Sequence, residues 1–275
     1  MAELFKTTLV LSIFGFVMTA LLLIIKPVTA KKLPASWQYY MWVLVMLSML
    51  IPVYKIIPSR EIYKIPVVPS VTTESPATPN VSETENTAPA KDAENENTSA
   101  PVRKSRAGLY TVAAFIWLSG MAIYLFTVTL SYISFTTKKR KNSTPLMDDA
   151  ILKECSKSLK IRRKIKVMVS ENLDSPMLVG VFFPVIYIPD GEIPPEKLKM
   201  IFLHELNHYK RKDLIFKWLS VLTNMIHWFN PLSYLLCSAL SEACEISCDM
   251  AVTRNMTEDE QRLYMQTILD LAKRR

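Results

Sequence analysis

The sequence predicts an α-helical membrane protein carrying a folded α+β domain, with three transmembrane helices and a re-entrant apolar hairpin. Three observations predict it. Half of the 275 residues are apolar, and they gather into long runs with almost no charge. A stretch rich in Pro, Ser, Thr, Glu and Asn separates the second run from the third. From Thr136 on, short alternating and helical patterns replace the long runs.

The first run, Thr8 to Ile25, approaches the ~20 residues a helix needs to cross a bilayer core. Lys26-Pro27 follows it where a signal peptide would carry small residues, so it reads as a retained span. The second run goes from Tyr39 to about Tyr54, with Trp37, Tyr39, Tyr40 and Tyr54 near its ends, where interfacial aromatics sit. The third goes from Leu109 to Tyr132. Between them, Pro66 to Pro101 has too few large apolar groups to offset its ordering entropy and reads as disordered. The chain thus divides into transmembrane helices 1 and 2 over residues 1–57, a disordered extracellular loop over 58–106, transmembrane helix 3 over 107–135, and a cytoplasmic, membrane-associated domain over 136–275.

Orientation follows from the basic residues beside the spans. Lys26, Lys31 and Lys32, and Lys138 to Lys141, belong inside, which puts the N-terminus outside. Arg103, Lys104 and Arg106 count in the opposite sense. The net charge of +8 comes without any nucleic-acid motif, so anionic lipid is the expected partner and direct nucleic-acid binding is not. The cysteines, Cys155, Cys237, Cys244 and Cys248, form no CxxC pair and are expected to be reduced.

Within the last domain, Ala150 to Leu159 reads as a helix and Lys164 to Ser170 as a half-exposed strand. Leu178 to Ile188, broken by Gly180 and Pro184, reads as two short strands or a hairpin, with Pro184 at an edge. Pro194-Pro195-Glu196 starts a helix. That helix carries His204-Glu205-Leu206-Asn207-His208, the H-E-x-x-H pattern. Residues four apart share a helix face, so both imidazoles reach one metal ion, and Glu205 stands beside it as the catalytic acid/base.

A catalytic zinc site takes three protein ligands and keeps one position open. His227 is the only other histidine, so the third ligand is expected to be acidic. Glu245 is the candidate, with Asp249 orienting a histidine through its second N–H. Glu242 is the rival, and Cys248 a softer alternative. Trp218 to Leu240 is apolar enough for a fourth span, but a full crossing would put His204 and Glu245 on opposite sides. It therefore reads as a re-entrant hairpin or buried helical pair turning near Asn230-Pro231, with His227 as a buried polar group in the turn.

Four stretches give the chain a resemblance to the integral-membrane zinc metallopeptidases of the BlaR/MecR type, the bacterial β-lactam sensor-transducers. They are Ser175 to Pro189 (SPMLVGVFFPVIYIP), His204 to Asp213 (HELNHYKRKD, with Arg211), His227 to Leu232, and Glu245 to Asp249. The resemblance implies a gluzincin-type α+β zinc peptidase domain. Zn2+ would be bound by His204, His208 and Glu245, with Glu205 as catalytic acid/base. It implies an enzyme in signal transduction that cleaves itself and/or a cytoplasmic regulator such as a transcriptional repressor, and self-association into a homo-oligomer stays open. The region Val185 to Ile188 would pair with an extended substrate. The penicillin-binding sensor domain of such proteins, and its S-x-x-K motif, have no counterpart here, so β-lactam sensing by these residues is not expected. Two alternatives stand beside this reading: a housekeeping protease of the CAAX-processing or heat-shock type, and an inactive membrane scaffold.

Overall fold

The computed structural model describes residues 1–52, 101–147, 149–171 and 173–273. Most of the predicted loop, from 58 to 100, lies outside the described residues. The elements are α1 (Ala2–Lys32), α2 (Ala35–Leu50), α3 (Pro101–Lys141), β1 (Ser143–Pro145), α4 (Ala150–Ser158), β2 (Lys166–Ser170), β3 (Met177–Val179), β4 (Val185–Pro189), α5 (Pro195–Arg211), α6 (Asp213–Ile226), α7 (Pro231–Thr253) and α8 (Glu258–Ala272).

Both α1 and α3 outrun their apolar stretches. α1 carries Pro27 inside and ends on Lys31 and Lys32. α3 starts at Pro101, ahead of the predicted 107; proline with its fixed φ suits a first helical position. Among the described residues, α1 and Gly108–Lys141 of α3 are the two helices long and apolar enough to cross a membrane. α2 is shorter, 16 residues or about 24 Å. Its Tyr39, Trp42, Val43, Val45, Met46 and Met49 are buried, packed on Leu236, Ala239, Leu240, Ala243 and Cys244 of α7.

α6 and α7 form an antiparallel pair broken at residues 227–230. Each of the three N-terminal helices holds that break. Asn230 Oδ1 caps α7 by accepting from the Leu232 amide at 3.0 Å, while its Nδ2 donates to the Ser12 carbonyl at 3.1 Å and hydroxyl at 2.9 Å. His227 Nε2 donates to the Met49 carbonyl at 3.2 Å. Trp117 Nε1 donates to the Ile226 carbonyl at 2.8 Å, and Trp228 Nε1 to the Trp117 carbonyl at 3.2 Å. The break's own carbonyls are met from α7, where the Ser233 hydroxyl donates to the His227 carbonyl at 3.4 Å and the Tyr234 hydroxyl to the Trp228 carbonyl at 3.1 Å. The break also explains a glycine. A Cβ on Gly120 of α3 would fall inside the rigid Trp228 indole. Gly120→Ala is expected to cost about 1–3 kcal/mol by overpacking, read as a lower Tm in detergent.

The sheet is four-stranded in the order β1-β2-β4-β3, with β2 and β4 parallel and both outer pairs antiparallel. Leu152 and Cys155 of α4, Val167 of β2, Ile186 and Ile188 of β4, and Ile201, Phe202 and Leu206 of α5 make its core. The two strands expected within Leu178 to Ile188 are β3 and β4, and Pro184 precedes β4 rather than lying in an edge strand. Gly180 makes the tight connection at φ +92°, where a Cβ would meet the Phe183 carbonyl at 2.5 Å. One expectation is overturned. Val185 to Ile188 is an interior strand with both edges paired, so it offers nothing to a substrate; β3 is the free edge on that side.

Candidate metal centre

α5 starts on Pro195 and buries Met200, Ile201, Phe202 and Leu206. His204, Glu205 and His208 lie on the helix face turned toward α7. They open, with Glu245 and Asp249, into a cavity of about 490 Å³ whose far wall includes Ser175 to Leu178.

The donor atoms converge. His204 Nε2 and His208 Nε2 are 3.1 Å apart, and Glu245 Oε2 lies 3.2 Å from the second and 3.6 Å from the first. Two ligands held at ~2.0–2.2 Å on a tetrahedral ion stand roughly 3.3–3.6 Å apart. The observed 3.1, 3.2 and 3.6 Å reach or come slightly short of that range, so a zinc-sized ion needs only a small opening of the two shorter pairs, and the donors (two imidazoles and a carboxylate) fit zinc chemistry. Cys248 Sγ also comes within 4.8 Å of both histidine donors. It is fully buried, lies against the His204 carbonyl at 3.7 Å, and does not line the cavity. Glu242 is turned away, paired with Lys26 at 2.7 Å. His227 sits in the α6–α7 turn and is no part of the cavity.

Each histidine has its own carboxylate behind it. His204 Nδ1 lies 3.2 Å from Asp249 Oδ1 and 2.7 Å from the Tyr264 hydroxyl, which itself donates to Asp249 at 2.6 Å. His208 Nδ1 lies 2.8 Å from Asp213 Oδ2. With the proton on Nδ1 in both rings, both Nε2 lone pairs face the cavity. A left-handed residue makes the second pair possible. Lys212, at φ 61° and ψ 31°, ends α5 and lets α6 leave at a sharp turn, so Asp213 folds back onto His208.

Asp213 is fully buried and is the hub of a further set of contacts. Arg211 Nε reaches it at 3.2 Å, and the Tyr39 hydroxyl of α2 donates to it at 3.2 Å, with the Arg211 guanidinium over the Tyr39 ring at 5.2 Å. The other oxygen of Glu245 accepts from Lys217 at 3.1 Å.

These contacts set the local charge balance. Burial would raise the Asp213 carboxyl, but the His208 hydrogen bond and the Arg211 charge outweigh it and hold the group below its ordinary range. For Glu245 too, burial is outweighed by both histidines and Lys217, and its carboxylate stays ionised. Burial disfavours the charged form of His204, yet Asp249 and Glu245 push its pKa up to about 10, the mark of a place that favours positive charge. Glu205 differs: burial pushes its carboxyl upward, the direction a proton-transfer group needs to work near neutrality.

Sequence reasoning reached the five residues His204, Glu205, His208, Glu245 and Asp249, and the structure brings all five together. It gave no role to Asp213, Tyr264, Lys217 or Tyr39. Asp213 was within reach, five positions past His208. Tyr264 and Tyr39 are brought in by tertiary folding and leave no local signal. Asp213→Asn is expected to weaken metal binding by roughly 10- to 100-fold, measured by competition with a chromogenic chelator, without removing a ligand.

A family model described as BlaR1 peptidase M56 matches residues 6–275. Curated relatives agree with it. The "Regulatory protein BlaR1" of Bacillus licheniformis is 28% identical over 160 residues, covering 56% of this chain and 26% of the relative. The "Methicillin resistance mecR1 protein" of Staphylococcus aureus is 30% identical over 158 residues, covering 56% and 27%. The "Regulatory protein BlaR1" of Staphylococcus aureus is 22% identical over 281 residues, covering 95% and 45%. The chain spans less than half the length of these relatives.

Proposed function

The chain belongs to the BlaR1 peptidase M56 family, and from that premise we propose that it acts as a membrane zinc endopeptidase in signal transduction. It cleaves itself and/or a cytoplasmic regulator such as a transcriptional repressor. The observation that carries the reading is the convergence of His204, His208 and Glu245 donor atoms to within 3.6 Å, with Glu205 lining the same cavity.

Zinc, when bound, supplies Lewis acidity and lowers the pKa of a bound water to roughly 7. The chain's own groups do the rest. Asp213, Asp249 and Tyr264 fix the imidazole planes, and Lys217 fixes the Glu245 carboxylate. Glu205 takes the proton of the attacking water and returns it to the leaving amine nitrogen. Strand β3, the sheet's free edge, supplies the cavity-wall residues Met177 and Leu178, so an extended substrate can add to it as a further strand.

The membrane reading rests on exposed apolar surface. Ile13, Phe14, Val17 and Ile24 of α1 and Phe115, Ile116, Ile123 and Phe126 of α3 are all exposed. Such a surface is costly in water and suited to acyl chains. α1, α2 and α3 are the proposed spans and the α6–α7 pair the re-entrant hairpin. The N-terminus lies outside and the zinc site at the cytoplasmic face. The test is zinc-dependent proteolysis by the purified chain in mild detergent. Cleavage of a protein substrate should stop with 1,10-phenanthroline and return with added zinc. Cleavage indifferent to chelation would sink the assignment.

A further inference from the structure

We propose that a second cavity beside the metal site is a substrate subsite for an apolar side chain flanked by carboxylates. The inference rests on the peptidase reading and deepens it by naming a substrate class. The cavity measures about 610 Å³ and shares Leu178, His208 and Leu214 with the metal cavity. Strand β3 joins the two. Its Met177 and Leu178 line the first, and Gly180 and Val181, just past its end, line the second. A strand advances about 3.3 Å per residue, so a peptide lying along β3 reaches the second cavity within roughly two to four residues of the scissile bond.

Five cations line this cavity: Lys160, Arg162, Arg163, Lys210 and Lys212. No aspartate or glutamate lines it, and none of the five forms an ion pair among the described residues. Arg163 instead donates to the Phe182 carbonyl and holds the β3–β4 loop. In the metal cavity, by contrast, the cation Lys217 stands among carboxylates, those of Glu205, Glu245 and Asp249. The second cavity is therefore the one whose charge is left unbalanced by its own lining. Leu159, Ile161, Leu178, Val181, Leu214 and Ile215 supply apolar lining between the cations. Like charges gathered without counterions favour an anionic partner, and the lining between them favours burial of an apolar group. A sequence such as Glu-Leu-Glu on one side of the cleaved bond meets both demands.

The test uses the full chain in neutral detergent, with Glu205→Gln to permit binding without turnover. Two fluorescent peptides are compared by anisotropy, identical but for Glu-Leu-Glu against Gln-Leu-Gln. The acidic peptide should bind roughly ten-fold more tightly at low salt. Arg162→Glu with Lys210→Glu should abolish the difference, and the equal charge change Arg254→Glu with Arg262→Glu should leave it. Equal affinities, binding of neither peptide, or a preference unmoved by the cavity reversal would each overturn the subsite. Equal affinities together with loss of phosphatidylglycerol vesicle binding in the cavity variant would assign the cations to lipid instead. The wild type is then assayed for cleavage. A preference that persists without cleavage removes the peptidase reading and keeps the subsite as a binding site.

Discussion

Glu205→Gln is expected to lower peptide-bond hydrolysis by about 10²- to 10⁴-fold while leaving zinc content unchanged. The carboxylate lines the cavity without being one of the three converging donors, so its loss should spare the metal. Glutamine keeps the size and a hydrogen-bonding head but cannot accept the proton of the attacking water. Burial raises the wild-type carboxyl toward neutrality, and a neutral amide loses that capacity altogether. The measurement is turnover beside metal content on the same preparation. A variant that loses zinc as well would move Glu205 from proton transfer to the ligand set. A variant that keeps full turnover would remove it from the chemistry.

The second large effect separates the two candidate acids. His208→Ala and Glu245→Ala should each bring bound zinc from about one per chain to near zero at chelator-buffered concentrations, because three ligands are the working minimum. Glu242→Ala should leave it intact, since that side chain pairs with Lys26 away from the cavity. Metal analysis of purified protein reads all three variants at once. Zinc retained in Glu245→Ala and lost in Glu242→Ala would reverse the assignment. Retention in both would point to Cys248, whose sulfur also lies within reach of the two histidines.

Much of the site was legible because its members keep helical spacing. His204 and His208 are one turn apart, as are Glu245 and Asp249, and a single periodicity rule places each pair. The requirement that His204 and Glu245 share an ion then forced Trp218 to Leu240 to double back, and the chain does break at residues 227–230. What escaped was tertiary. Nothing local says that Tyr264 reaches His204 across 60 positions, or that Tyr39 reaches Asp213 across 174. The strand misassigned to substrate shows the same limit. Val185 to Ile188 has the composition of a strand, but whether a strand is central or at an edge depends on its partners. Gly120 carried no pattern either; its smallness answers to an indole more than a hundred residues away.

The hydrogen bond between Tyr39 and Asp213 ties two events that the chain order keeps apart. α2 ends at Leu50 and leads directly into the 53–100 segment, while its other end donates to the carboxylate that orients His208. By linkage, whatever strains that contact changes the grip on an ion, and an ion in place resists the strain by the same amount. A hydrogen bond to a charged group is worth about 1.5–3 kcal/mol, and only the part that differs between the filled and the empty site couples, so the lever stays below the roughly 10- to 100-fold expected of Asp213 itself. A lever of that size tunes an affinity that lies near the ambient zinc level, and is too weak to strip a site filled far above it.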